Sequence, residues 1–171
     1  SEWLADNRAL FQGEFGNHRK YESLERGGRG TGTVVRSYVE WIEEYGTHDK
    51  MVASALAEAK GDPRQAFGLL YDSMEAVKRF GRTGRFDYLT MLAKVGLAAI
   101  DANSTYMNGA TGPKKGARLL FDGQIDSKSG TRVLEARVAA LEKYLGVGMQ
   151  VLEDAMCNWQ KSPGRYLPFR G

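Results

Sequence analysis

Apolar residues recur at spacings of three and four along almost the whole chain, the pattern of amphipathic helices. No segment alternates apolar and polar residues for long enough to predict a strand. The sequence therefore predicts an all-α fold, a single orthogonal helical array without the sustained heptads of a coiled coil. Helices are predicted near residues 3–11, 33–45, 49–59, 62–79, 86–95, 114–121, 131–145 and 149–160.

Capping residues and glycines set the predicted boundaries of these helices. Asp62 followed by Pro63 predicts a helix start, and Asp49 and either Ser129 or Thr131 are predicted N-caps. The predicted helix ends are Gly61, Gly96 and Gly146. The predicted buried positions are Phe67, Leu70, Met74, Val77, Phe86, Leu89, Leu92, Val95, Leu134, Val138, Leu141, Leu145, Val151, Leu152, Ala155, Met156 and Trp159.

Length and composition predict one domain over residues 1–171, large enough to bury a core without covalent or metal cross-links. No apolar run approaches the ~20 residues that span a bilayer, and the first residues lack the charged start and apolar middle of a signal peptide, so we expect no secretory leader. The single cysteine, Cys157, favours a reducing compartment, so we expect a cytoplasmic protein. One cysteine and two histidines argue against structural zinc, and we expect neither a metal nor another cofactor.

Positive charge is clustered rather than spread evenly. The net charge is +3, and basic residues gather with glycine in residues 26–29, 78–85 and 114–118. Glycine lets the backbone approach a ligand closely, and clustered arginine and lysine favour a polyanion. Solvated loops are the alternative for any one cluster, but three such clusters favour DNA as the partner.

Residues 108–120 predict a phosphate-binding turn. Glycines are followed by a helix that opens with lysines, and the free N–H groups of a helix start favour an anion. An ordinary glycine loop with surface lysines is the alternative. The predicted phosphate-binding residues are Gly109, Gly112, Lys114, Lys115 and Arg118.

Residues 80–89 predict a substrate pocket at a helix junction. Arg82 and Arg85 suit phosphate or pyrophosphate, because arginine bonds bidentately. Asp87 lies within one turn of Arg85, and Tyr88 is a candidate for stacking on a base. A tight corner with a structural ion pair is the alternative.

The last predicted helix carries a polar stripe. Gln150, Asp154, Asn158 and Lys161 fall at spacings of four, four and three, so they share one face. A carboxylate flanked by amides and a lysine suits a site wall, with Asp154 as the catalytic or base-orienting group and the others as substrate ligands. A solvated polar face is the alternative, and Cys157 is interpreted as a packing residue rather than a nucleophile.

Three motifs together resemble one family: Phe-Gly-Arg-Thr-Gly-Arg-Phe-Asp-Tyr-Leu, Gly-Ala-Thr-Gly-Pro-Lys-Lys-Gly-Ala-Arg-Leu-Leu-Phe and Leu-Glu-Asp-Ala-Met-Cys-Asn-Trp-Gln-Lys-Ser-Pro. From about residue 78 onward the chain resembles the α-glutamyl/putrescinyl thymine pyrophosphorylases of phages and bacteria. The resemblance implies a helix-hairpin-helix, DNA-glycosylase-like fold, although the turn here carries an extra residue between its glycines.

The resemblance also implies a substrate, a 5-substituted pyrimidine flipped out of double-stranded DNA. In the family reaction an amine or amino acid displaces pyrophosphate from an activated 5-hydroxymethyl group. A glycosylase that excises the modified base in antiphage defence, and a non-catalytic DNA-binding module, are the alternatives. The aspartate that follows the hairpin in ordinary glycosylases has no counterpart here, since Asp122 and Asp126 are too close and the next carboxylate is Glu135. Asp154, with Asp87 second, is therefore the predicted catalytic carboxylate.

Overall fold

A computed structural model describes Asp6 and residues 31–165 of the protein. Within residues 31–165 the chain forms α-helices and one short 3-10 helix without any strand, which confirms the all-α prediction. No helix of this part is long and apolar enough to cross a bilayer. Apart from Asp6, the predicted helix near residues 3–11 lies outside the described residues, as does the basic cluster at 26–29. The helices are α1 (Thr31–Glu43), α2 (His48–Glu58), α3 (Pro63–Ser73), the 3-10 helix Met74–Ala76, α4 (Arg82–Lys94), α5 (Gly112–Asp122), α6 (Thr131–Leu145) and α7 (Met149–Trp159).

Helix starts follow local chemistry where a side chain caps the first turn. The predicted start at Asp62 is confirmed, since its carboxylate accepts from the amides two and three residues further on, at 2.8 and 3.2 Å. These bonds stabilise the charged form and lower the pKa of Asp62. The predicted cap Asp49 is wrong, because Thr47 caps α2 and Asp49 lies in the first turn. α6 begins after Gly130 without a side-chain cap, so Ser129 and Thr131 are not its caps.

The core contains most of the predicted apolar stripe, and the exceptions lie at helix ends or on α7. Val95 follows the last residue of α4 and Leu145 is the last residue of α6, and both are more than half exposed. The inward face of α7 is rotated from the prediction and consists of Met149, Leu152, Glu153 and Met156. The predicted core residues of α7 that are exposed instead are Val151, Ala155 and Trp159.

α5 and α7 pack so closely that their contact requires glycine. A Cβ atom placed on Gly116 would lie 2.1 Å from the carbonyl oxygen of Met156. A Cβ atom on Gly112, one turn earlier, would lie 2.5 Å from the Sγ atom of Cys157. The two glycines therefore let the start of α5 lie directly against the second half of α7.

Replacing Gly116 by alanine is expected to lower the free energy of unfolding by about 1–3 kcal/mol, because overpacking forces the two backbones apart. Alanine in a helix interior is ordinarily better than glycine by up to about 1 kcal/mol, so the sign itself is informative. Gly84→Ala in α4 is the control, because its Cβ atom would meet only the ring of Phe80, at 3.3 Å. Urea denaturation of the two variants checks this, and equal stability would contradict the close packing.

Residues 95–111 form a loop between α4 and α5 that α6 holds in place. The carboxylate of Glu135 on α6 accepts from the hydroxyl groups of Ser104 and Thr105, at 2.7 and 2.9 Å, and from the amides of Thr105 and Met107. Because this loop separates α4 from α5, no helix leads directly into the turn before α5. The helix-hairpin-helix arrangement stays a prediction.

Candidate functional site

Two of the three segments singled out in the sequence meet at Arg82, the first residue of α4. One guanidinium nitrogen lies 2.7 Å from Glu153 Oε1 on α7. The other two nitrogens donate to the carbonyl oxygens of Thr105 and Tyr106, at 2.5 and 2.8 Å, in the loop before α5. The guanidinium also lies 4.7 Å from the ring centre of Phe86. Arg82 therefore joins α4, the loop and α7 at one buried point.

The ion pair between Arg82 and Glu153 is shielded from water, with only 11% and 8% of the two side chains exposed. Burial raises the pKa of Glu153, and the neighbouring charge of Arg82 opposes that rise. Asp154 and Asp87 are close enough to raise the pKa further. The predicted catalytic carboxylates thus lie close enough to act electrostatically on a third one, Glu153.

Glu153 is central to this site, and the sequence did not predict its burial or its pairing with Arg82. It lies one turn after Met149 and one turn before Met156, so it belongs to the buried stripe of α7. A glutamate within an apolar stripe needs an opposite charge, which is a signal for a buried partner. The signal was hidden because the stripe through Val151, Ala155 and Trp159 is equally apolar in the sequence.

The exposed face of α7 carries the predicted polar stripe, and its members bond to one another. Gln150 donates to the carboxylate of Asp154, and Asn158 donates to the carbonyl oxygen of Asp154 at 3.0 Å. Lys161 donates to Asn158 at 3.2 Å. The shared face is confirmed, and Asp154 stands on it in contact with solvent.

Arg85 lies within the fold rather than on an open surface. It donates to the carbonyl oxygen of Phe80 at 2.9 Å and pairs with Glu75 at 3.3 Å. Its guanidinium lies 5.4 Å from the ring centre of Tyr71. These contacts hold the α3–α4 junction together, and a role of Arg85 in substrate binding stays a prediction.

Tyr88 belongs to an aromatic cluster between α1, α2 and α4. Its hydroxyl group lies 2.6 Å from that of Tyr38 and 3.1 Å from Nε2 of His48. Burial and the bond to Tyr38 raise the pKa of Tyr88, so it is a neutral phenol at physiological pH. The ring of Phe80 also packs edge-to-face against the ring of Tyr88, with 6.1 Å between the ring centres. Stacking of Tyr88 on a base is therefore not supported by its packing and stays a prediction.

The predicted phosphate-binding residues surround the start of α5. Gly109 has a φ of +77°, a conformation that favours glycine, in the turn just before the helix. Lys114 is half-buried and Lys115 is exposed, both within the first turn. Arg118 instead donates to the carbonyl oxygen of Ser129, at 3.2 and 3.4 Å, and ties α5 to the loop before α6.

Lys161 follows the end of α7, and the start of α5 packs beside that end. Gly112 lies against Cys157, and the charge of Lys161 acts on that thiol. Burial raises the pKa of Cys157, so its reactive thiolate form is disfavoured at neutral pH. Cys157 is thus a packing residue, and Lys161 acts on the same thiol that Gly112 at the start of α5 contacts.

The fold and site define an all-α protein in which a buried arginine–carboxylate pair joins α4 to α7, and α7 packs against the lysine-bearing start of α5. The whole chain, residues 1–171, matches the alpha-glutamyl/putrescinyl thymine pyrophosphorylase clade 3 family and belongs to it. The family thus includes the first third of the chain, which the motifs alone did not reach. The family's name indicates an enzyme that acts on modified thymine. Comparison with curated proteins and with solved structures gives no match.

Proposed function

We propose that this protein replaces an activated 5-substituent of thymine in DNA by an amine or amino acid. The observation that carries the proposal is the Arg82–Glu153 pair, which joins two of the three motifs that resemble the family, while the third motif packs on α7 through Gly112 and Gly116. This pair fixes α7 against α4, so that Asp154 and Asp87 are held on adjoining helices near a common carboxylate. Groups held rigidly by neighbours are what a positioned reaction needs.

In the proposed reaction the amine nitrogen attacks the 5-methylene carbon of the base. The carbon–oxygen bond to pyrophosphate breaks, and pyrophosphate leaves with the electron pair of that bond. The attacking nitrogen must lose a proton, and Asp154 is the proposed base. Its Oδ2 atom accepts from Gln150, and no hydrogen bond to Oδ1 is found within residues 31–165. Asp87 is the second candidate for this role.

The surface formed by Lys114, Lys115 and Lys161 is the proposed contact with the phosphates of the duplex. The lysines of α5 stand beside the N–H groups of a helix start that no side chain caps. Such a surface positions DNA without reading its sequence, and the modified base is flipped toward the carboxylates.

The reaction is tested by incubating the protein with duplex DNA that carries 5-pyrophosphoryloxymethyluracil, together with an amine or amino acid. Mass analysis of the nucleosides should show a new aminated nucleoside and one pyrophosphate released for each. Release of a free base would instead indicate a glycosylase, and unchanged DNA that still binds would indicate a DNA-binding module. Either result would contradict the proposed reaction.

Replacing Lys114 and Lys115 together by alanine is expected to weaken binding to all DNA sequences alike. Each phosphate contact contributes about 0.9 to the slope of log K against log salt, so the slope should fall by roughly 2. Lys50→Ala/Lys143→Ala is the control, since both lysines are exposed on other helices. Fluorescence anisotropy across a salt series measures the slopes. An unchanged slope in the Lys114/Lys115 variant would show that the lysines of α5 do not contact the DNA phosphates.

A further inference from the structure

α7 leaves a row of apolar side chains exposed beside its polar stripe. Val151 and Trp159 are 48% and 40% exposed, and Ala155 between them is exposed as well. Spacings of four place these three residues in one row, which is about 12 Å long because a helix rises about 1.5 Å per residue. A helix ordinarily turns such a row toward the core, and a contiguous apolar row on the surface is a feature of binding sites.

Trp159 is the largest side chain of this row, and its surroundings differ from those of the buried Trp41. Trp41 is 1% exposed, its indole N–H donates to Ser73 at 3.2 Å, and its ring centre lies 5.9 Å from that of Tyr38. No such ring or hydrogen-bond partner is found for Trp159 within residues 31–165. The indole of Trp159 therefore presents aromatic surface that the fold itself does not use.

The apolar row and the polar stripe of α7 run side by side in the same register. Each residue of the row directly follows a residue of the stripe, in the pairs Gln150–Val151, Asp154–Ala155 and Asn158–Trp159. Consecutive residues of a helix lie about 100° apart around its axis, so the two rows are neighbours on the side of α7 that faces away from the core. A flat ligand that lies on the apolar row thus turns one edge toward amide and carboxylate groups.

Lysines gather at the end of α7 that carries Trp159. Lys161 follows two residues later, and the start of α5, with Lys114 and Lys115, packs on this end through Gly112. Positive charge beside an exposed aromatic ring is the combination by which proteins bind single-stranded nucleic acid. A stable protein partner would cover about 800 Å² on each side, and the partly exposed side chains of one row provide much less.

We propose that the row Val151, Ala155 and Trp159 is a stacking surface for an unpaired nucleobase of DNA. The base lies on the indole of Trp159, and the two aliphatic side chains extend the apolar surface beneath the strand. Its polar edge faces Asn158 and Asp154 of the neighbouring stripe. Every base has an aromatic face, so this surface binds without reading the sequence. The identification of this base as the one that reacts rests on the proposed function.

Binding is tested on the full chain by fluorescence anisotropy, with a labelled single-stranded oligothymidylate and an abasic strand of the same length. The two strands carry the same number of phosphates, so the difference between their affinities reports the bases alone. We expect the oligothymidylate to bind roughly tenfold more tightly and to quench the fluorescence of Trp159, since stacking on an aromatic ring contributes about that factor or more. Equal affinity for the two strands would overturn the stacking surface.

Trp159→Leu is expected to bind the two strands with nearly equal affinity, because it keeps an apolar side chain but removes the ring. Trp159→Phe, which keeps a smaller ring, should retain part of the preference for the oligothymidylate. Tyr144→Leu is the matched control, because Tyr144 is an aromatic residue of α6 that is 90% exposed. A full preference for the oligothymidylate in Trp159→Leu, or an equal loss of that preference in Tyr144→Leu, would overturn the assignment to this row.

A second copy of the chain is the other partner for an exposed apolar row, and light scattering over a range of protein concentrations detects it. We expect the same molecular mass for the unaltered protein and for Trp159→Leu. Self-association that Trp159→Leu abolishes, together with equal binding of the two strands, would make the row an interface between copies and overturn the proposal.

The same variants separate this surface from the proposed reaction. If the preference for bases depends on Trp159 but no new nucleoside forms, the stacking surface stands and the proposed reaction fails. If the aminated nucleoside forms with the same kcat and the same KM for DNA in Trp159→Leu and in the unaltered protein, the reaction stands and the stacking surface fails.

Discussion

Replacing Arg82 by methionine is expected to lower the free energy of unfolding at pH 7 by about 3–5 kcal/mol. Removing one partner of a buried ion pair leaves the other charge without compensation, and Glu153 is only 8% exposed. The change also removes the bonds to two carbonyl oxygens that hold the loop before α5. Arg85→Met is the matched control and should lose less, because its partner Glu75 is 76% exposed.

The loss in Arg82→Met should depend on pH. Burial already raises the pKa of Glu153 above its ordinary value of 4.5, and without Arg82 the pKa rises further. The folded variant then favours the protonated carboxyl group of Glu153. The contribution of this group to the free energy of unfolding is fully present below the pKa that Glu153 has in the unfolded chain. It is lost as the pH rises through the pKa of Glu153 in the folded variant. The difference from the unaltered protein should therefore be larger at pH 7 than near pH 4.5.

Urea denaturation at both pH values checks this prediction, with Arg82→Met/Glu153→Leu completing a double-mutant cycle. The double variant should lose less than the sum of the single variants, because neither buried charge remains. A loss below about 1 kcal/mol in Arg82→Met, or the same loss at both pH values, would contradict a stabilising buried pair.

The parts of the fold that local chemistry decides were predictable from the sequence. Asp62 followed by Pro63 marks a helix start because the cap and the proline both act within one turn. The glycine stop at Gly146 is confirmed by its left-handed φ of +62°. Thr47 was missed for α2 because Asp49, two residues later, is an equally suitable cap by type.

The site was predictable only in part, because its centre depends on contacts between distant segments. The sequence marked the segments of Arg82 and Asp154 but gave no sign that Arg82 points to Glu153 and to the loop. On α7 two neighbouring stripes are both apolar, so periodicity alone could not decide which faces the core. The observed choice places Glu153 inside and leaves Trp159 partly exposed.

The observed orientation of α7 leaves Asp154 accessible to solvent, as its proposed role as a base requires. Its neighbour Glu153 is tied to Arg82, whereas Asp154 lies on the adjacent, solvent-facing side of α7 and bonds to two amide side chains. A carboxylate that must take a proton from a bound amine has to be reachable by the substrate. Asp154 meets that requirement, and Glu153 does not.

Asp154→Asn is therefore expected to lower the rate of amine transfer by about 10²–10⁴-fold, the usual contribution of a positioned base. The substitution keeps the shape of an exposed side chain, so stability should change by no more than about 0.5 kcal/mol. DNA binding should be unchanged, because the proposed phosphate contacts lie on Lys114, Lys115 and Lys161. Asp126→Asn, an exposed aspartate in the α5–α6 loop, is the matched control and should keep full activity.

Single-turnover assays on DNA with the activated base separate the chemical step from binding and product release. Asp154→Asn should slow the chemical step while leaving the affinity for DNA unchanged. Full activity in Asp154→Asn together with a large loss in Asp87→Asn would transfer the role to α4. Full activity in both variants would show that neither predicted carboxylate acts as the base.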